Sequence, residues 1–180
     1  MELLFDRREK DVKITDDVVR IAAHCGQGGT LNLFESRFAV DTRFWVPIAQ
    51  LYDASKVGDK KAVQRLLSLG VDYNSKKYHG RTPLWWSASR GHASVALLFL
   101  GQDSTRSNEA DINGRTPLHE AAGNGYKKVV KLLLSQEGIN PDLADNRGQT
   151  ALAWAKKCGY MDIVHILRDY IGSKIPAPEK

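Results

Sequence analysis

Cysteine is scarce in this chain of 180 residues: Cys25 and Cys158 stand alone and far apart. That spacing excludes a disulfide framework and any ordinary thiolate metal site, and both read as free thiols. Long apolar runs are missing too. Leu3-Leu4-Phe5 is broken at once by Asp6-Arg7-Arg8-Glu9-Lys10, so there is no signal-peptide core, and no stretch reaches the roughly 20 residues of a membrane span. An intracellular, cytoplasmic protein with no membrane contact is expected. The charge imbalance is also small. Lys and Arg number 26 against 21 Asp and Glu, for a net charge of +5, which suits an acidic partner without demanding nucleic acid. A hydrophobic content of 42% suffices for the core of one or two compact units.

What is present is self-similarity. GRTPLWWSASRGH at 80–92 is followed by GRTPLHEAAGNGY at 114–126 and GQTALAWAKKCGY at 148–160, with Gly80, Gly114 and Gly148 each 34 residues apart. A second apolar segment of helical spacing follows each block: Val95, Leu97, Leu98 and Leu100, then Val129, Val130 and Leu132 to Leu134, then Ile163, Val164, Ile166 and Leu167. The repeating unit is therefore helix, tight turn, helix and a glycine-bearing turn. Thr caps each first helix, Pro takes its first turn where a missing N–H costs nothing, and Gly makes the turn between helices. An earlier, degenerate unit appears when Leu51 is placed on Leu84. Its second helix is 62–69, closed by Gly70, and Ala49-Gln50 stands where Thr-Pro belongs, with Pro47 further upstream. Its front end is expected to pack differently.

Thr116-Pro117-Leu118-His119, Ala121-Ala122 and Gly125 resemble the ankyrin repeat, whose period is about 33 residues. The resemblance covers about residues 45–172 and implies an all-α solenoid of about four repeats, the first degenerate. Residues 1–44 are expected to form an N-terminal helical segment that caps the array. Within it Ile14 to Ala23 reads as a helix capped by Thr15 or Asp16. Together with ELLFDRR it is similar to short helical repeats that precede ankyrin arrays in large fungal NACHT-domain proteins. The chain is then expected to be the C-terminal piece of a longer ancestor. Residues 173–180, polar with two prolines, read as a disordered tail.

Chemistry is hard to find. His24 and Cys25 are adjacent, so they do not face each other on a helix, and nothing orients the His. Gly26-Gln27-Gly28-Gly29 lacks the Lys and Ser or Thr of a phosphate-binding loop and reads as a flexible connection. The five histidines show no metal-ligand spacing. His92 and His119 fall where ankyrin repeats carry His for hydrogen bonds within and between repeats. No enzyme, no cofactor and no metal are expected.

The resemblance implies a concave face built from first helices and finger-like turns. The residue after the His position points into it, and here that residue is Asp53, Trp86, Glu120 or Trp154. With helices roughly 8 to 10 Å apart, Trp86 and Trp154 stand about 20 Å from each other, separate anchors rather than one cage. Either can bind a partner or simply cover its neighbouring helix. Trp85 takes the His position and is expected in the core. Fingers and helix ends add Tyr78, Arg81, Arg90, Asn113, Arg115, Arg147 and Lys157, with Lys56 and Lys77 beside them. Asp111 and Asp145 are expected to bond the turn backbone, which leaves a positive surplus open to a partner.

The primary expectation is a protein-interaction module that docks an acidic peptide or domain, with Trp86 and Trp154 as anchors. The alternative is an enzyme or small-molecule binder using an aromatic pocket near Phe44, Trp45, Tyr52, Trp85 and Trp86. Nucleic-acid binding ranks last, since the arginines lie at finger tips rather than on one helix or an aromatic sheet.

Overall fold

The computed structural model describes residues 45–76 and 78–174, apart from the side chains of Trp45, Val46 and Tyr78. The readings made for residues 1–44, for Lys77 and for 175–180 lie outside the described residues. Contacts divide the chain into units Met1–Ala49 and Gln50–Lys180. The second holds the array.

Eight α-helices follow one another in pairs among the described residues: α1 Trp45–Val57 with α2 Lys60–Ser68, α3 Pro83–Ser89 with α4 Ala93–Leu100, α5 Pro117–Gly123 with α6 Lys127–Leu134, and α7 Ala151–Lys157 with α8 Met161–Lys174. The capping logic of the repeat is realised atom by atom. The hydroxyl oxygens of Thr82, Thr116 and Thr150 accept the N–H of Trp85 at 3.1 Å, His119 at 3.4 Å and Ala153 at 3.3 Å. Such caps are each worth about 1 kcal/mol. Unit one has no Thr-Pro, and its first helix is accordingly longer, 13 residues against 7 in each of the later first helices. α8 runs to Lys174, so Ser173 and Lys174, assigned from sequence to the tail, are helical.

Glycine is required between the helices of a pair. Gly91 and Gly125 have φ of +74° and +81°, and an added Cβ would sit 2.4 Å from the Tyr126 ring and 2.5 Å from the Tyr160 ring. The turn therefore needs both a left-handed backbone and an empty side-chain position for the next unit's aromatic residue. His92 plays the same part over Gly58, and its Nε2 lies 3.0 Å from the Lys56 carbonyl.

Fingers are tied in two ways. Asp111 Oδ1 accepts the N–H of Asn113 at 2.9 Å and of Arg115 at 3.0 Å, and Asp145 Oδ1 repeats this with Arg147 and Gln149. Between fingers, Ile112 N–H donates to the His79 carbonyl and Asn146 N–H to the Asn113 carbonyl. His79 has a φ of 65° and is the non-glycine residue in the left-handed region among those described. The loops after the second helices are joined differently. Asn74 donates to Ser104 O and accepts from Arg106 N–H; 34 residues on, Asn108 donates to Gly138 O and accepts from Asn140 N–H. Beneath these surfaces one apolar core runs from Leu51 through Leu84, Phe99, Leu118 and Leu133 to Leu167.

Candidate functional site

Most side chains singled out from sequence fall along one file that crosses all four helix pairs. At one end Lys56, from α1, lies 5.2 Å from the centre of the Trp86 ring, and Arg81, from the first finger, lies 5.1 Å from it. Arg81 also stacks on Trp85 at 4.2 Å, and the two indoles meet edge to face at 5.1 Å. Each such cation and ring within about 6 Å attracts through the ring quadrupole.

Asp111 carries the file into the next unit. Its fully buried carboxylate stands 3.6 Å from Arg81 Nε and 3.7 Å from Arg115 Nη2. The buried Arg81 Nε has no hydrogen-bond acceptor, so its attraction to Asp111 is Coulombic rather than a hydrogen bond. Arg115 Nη1 reaches Glu120 Oε1 at 2.9 Å. Burial pushes the Glu120 carboxyl above its ordinary value, with Asp111 adding to the effect, although Arg115, Arg81 and the Asn124 amide pull the other way.

In the last unit Arg115 lies 5.8 Å and Lys157 5.5 Å from the centre of the Trp154 ring. The Trp154 indole donates to Asp145 Oδ2 at 3.0 Å. Burial works to raise Asp145, but the Gln149 N–H, the Trp154 indole and the Arg147 N–H outweigh it and hold the carboxyl below the usual range. Between the second and third fingers, Asn113, Arg115, Asp145, Asn146, Arg147 and Trp154 line a cleft of about 180 Å³.

Sequence reasoning places Arg81 and Arg115 in an open positive surplus, and here the structure corrects it. Both guanidinium groups are half-buried and engaged with Asp111, Glu120 and the indoles. The exposed cations Lys56, Arg90, Arg147 and Lys157 have no carboxylate partner among the described residues, and Asp53 and Asn113 are exposed beside them. Trp86 and Trp154 are half-buried, so each presents part of its ring. The Tyr78 side chain lies outside the described residues.

Trp85 is in the core as expected, and Tyr52, a candidate for the aromatic pocket, is buried as well. Trp85 is 3% exposed, and its indole donates to Arg115 O at 3.1 Å. Tyr52 is buried, its hydroxyl donating to the Ser75 carbonyl and lying 3.1 Å from the Arg81 carbonyl, and burial pushes its phenol well above the ordinary value. Of the other residues proposed for an aromatic pocket, Phe44 and the Trp45 side chain lie outside the described residues. His119 is buried against Thr116, and its Nε2 meets the Gln149 carbonyl of the next unit at 3.0 Å. Cys158 is exposed. Among the described residues no three His, Cys, Asp or Glu side chains are placed to hold a metal ion, and no helix is long and apolar enough to cross a membrane.

Two features escaped sequence reasoning. The paired bonds of Asn74 and Asn108 were signalled by their 34-residue spacing. Leu97, expected to serve the second apolar segment, is instead 55% exposed, and comparison with its equivalents in the other units would have marked it.

Caps, fingers, stacked helix pairs and a file of side chains crossing units define a helical-repeat scaffold for protein–protein interaction. The profile of ankyrin repeats (3 copies) matches residues 51–145 and 96–178. The chain belongs to the ankyrin repeat family. A domain of unknown function (DUF7104) matches residues 3–29, within the segment read from sequence as separate helical repeats. The ADP-ribosylation factor GTPase-activating protein AGD4 of Arabidopsis thaliana is 38% identical over 61 residues, 34% of this chain and 8% of that protein. The chain thus spans a small part of that relative's length. Ankyrin repeats are in general protein-binding scaffolds without enzymatic activity.

Proposed function

We propose that the array docks an acidic peptide or domain along the face formed by its fingers and first helices, the concave face of the family. The observation that carries this reading is the file itself. Lys56 and Lys157 rest over Trp86 and Trp154 with no carboxylate partner among the described residues. Those indoles already have cations against them, so a basic partner would meet like charge. A carboxylate-bearing partner gains an ion pair and indole contact together. Arg81 and Arg115, engaged with Asp111 and Glu120, hold the rings in place, while Arg90 and Arg147 extend the open positive charge.

Affinity capture tests the reading, using wild type beside a Trp86→Ala, Lys157→Ala variant at low and high salt. Acidic proteins captured by wild type should be lost from the variant and weakened by salt. Equal capture by both, or capture indifferent to salt, refutes it.

A further inference from the structure

We propose a second docking site on the outer helices α4 and α6, which takes an amphipathic segment of a partner protein whose apolar anchor is flanked by carboxylates. It does not depend on the face proposed above. Its carrying observation is a departure from the chain's own rule. In the register set by the 34-residue repeat, Leu97 is equivalent to Lys131 and His165, and in the degenerate first unit to Gln64. All four positions are exposed, and three carry polar side chains. Leu97 is apolar and remains 55% exposed. Neighbouring Val95, Ala96 and Phe99 fill the core in the same way as their equivalents in the two following units, so packing within the array does not call for a leucine there.

The surroundings say what would cover it. Leu97 opens into a shallow groove between α4 and α6 lined by Ala93, Ser94, Lys128, Lys131 and Leu132. The apolar floor is therefore bordered by two lysines. Both are exposed, no carboxylate lines the groove, and neither lysine has an ion-pair partner among the described residues, whereas neighbouring Lys127 is paired with Asp162 at 3.2 Å. An occupant must bury an apolar group on Leu97 and offer negative charge to Lys128 and Lys131, and a groove between two helices suits a helix laid along it.

The test exploits the repeat. Leu97→Lys installs the residue that the next unit already carries, so its unfolding midpoint should match that of wild type. The full chain is used to select from a displayed library of random peptides of about 12 residues, roughly three helical turns. A set of enriched peptides should carry Leu or Phe flanked by Asp or Glu, bind Leu97→Lys about tenfold more weakly, and bind Trp86→Ala unchanged. Replacing their Asp and Glu by Asn and Gln should also weaken them. Overturning results are a selection with no Leu97-dependent peptides, or Leu97-dependent peptides indifferent to the acidic replacements. Sedimentation with phosphatidylserine-containing vesicles that is lost in Leu97→Lys would likewise overturn it, in favour of a lipid surface.

Discussion

Replacing His119 by Gln perturbs the point where one unit grips the next. His119 is 2% exposed. Its Nδ1 accepts the Thr116 N–H at 3.2 Å and meets the Thr116 hydroxyl at 2.8 Å, so Nε2 carries the proton donated to the Gln149 carbonyl at 3.0 Å. The ring is neutral in the folded chain. Burial lowers its pKa below 6.5, and Arg115 adds to this, against the Gln149 carbonyl and the carboxylates Asp145 and Asp111. Below its ordinary pKa the unfolded chain binds a proton that the folded chain excludes. The ring's contribution is therefore complete above that pKa and is lost as pH falls toward the depressed folded value. Between about pH 7.5 and about pH 5.5 the loss is at most about 1.4 kcal/mol, one pH unit below the ordinary pKa. Urea unfolding followed by circular dichroism, with m unchanged, measures it. The variant should be less stable at the higher pH by about 1 to 3 kcal/mol, from lost bonds and packing. Its further decline with pH should be shallower than that of wild type. Equal declines would mean that the folded chain admits the proton, and the assigned tautomer would be wrong.

Gly125→Ala and Gly159→Ala share a left-handed backbone, but only the first places a Cβ against an aromatic ring, that of Tyr160. Both should be destabilising, by about 1 kcal/mol for the backbone alone, and Gly125→Ala by measurably more in urea unfolding. His79→Gly should stabilise by about 1 kcal/mol in the same assay, because it relieves the left-handed strain at φ 65° while keeping the carbonyl that accepts from Ile112. Asn108→Ala removes both ends of a link to the next loop and should cost about 1 to 2 kcal/mol. Amide exchange should then quicken around Gly138 and Asn140 before it does so in the helices.

The helices were legible because each repeated residue type has a local reason. Thr82, Thr116 and Thr150 cap whatever helix follows, and Pro83 and Pro117 fit only a first turn. The inward position of Trp85 was also legible, since it stands where the family carries His. What could not be read was the state of charge along the file. Arg81 and Arg115 share one finger position, where the last unit carries Gln149, and in the fold Asp111 is buried between them and each has an indole to lie on. That arrangement comes from stacking one finger on the next, and a count of charges along a single finger does not contain it. Leu97 escaped for the opposite reason. Its apolar character satisfied the helical pattern of its own segment, and only the residues one repeat away show that the position belongs to solvent.

The ends of the file explain why its outer cations stay open while its inner ones do not. A finger arginine becomes internal when the following finger supplies a carboxylate at the turn, as Asp111 does for Arg81. Asp145 does not do the same for Arg115: its Oδ2, the oxygen by which Asp111 meets Arg81, accepts the Trp154 indole instead. Arg115 turns instead to Glu120 on its own unit's first helix. Lys157, at the end of the last first helix, has no described finger beyond it to provide an anion. Whether a charge stays open in this array therefore depends on which unit a residue occupies as much as on its identity. Moving Lys157 one repeat inward would place it at Gly123, whose added Cβ would press on the Trp154 ring at 3.3 Å. Lys56 holds the equivalent position in the first unit and lies over Trp86 of the next, so that position takes either a long side chain laid over the ring or, as at Gly123, none at all.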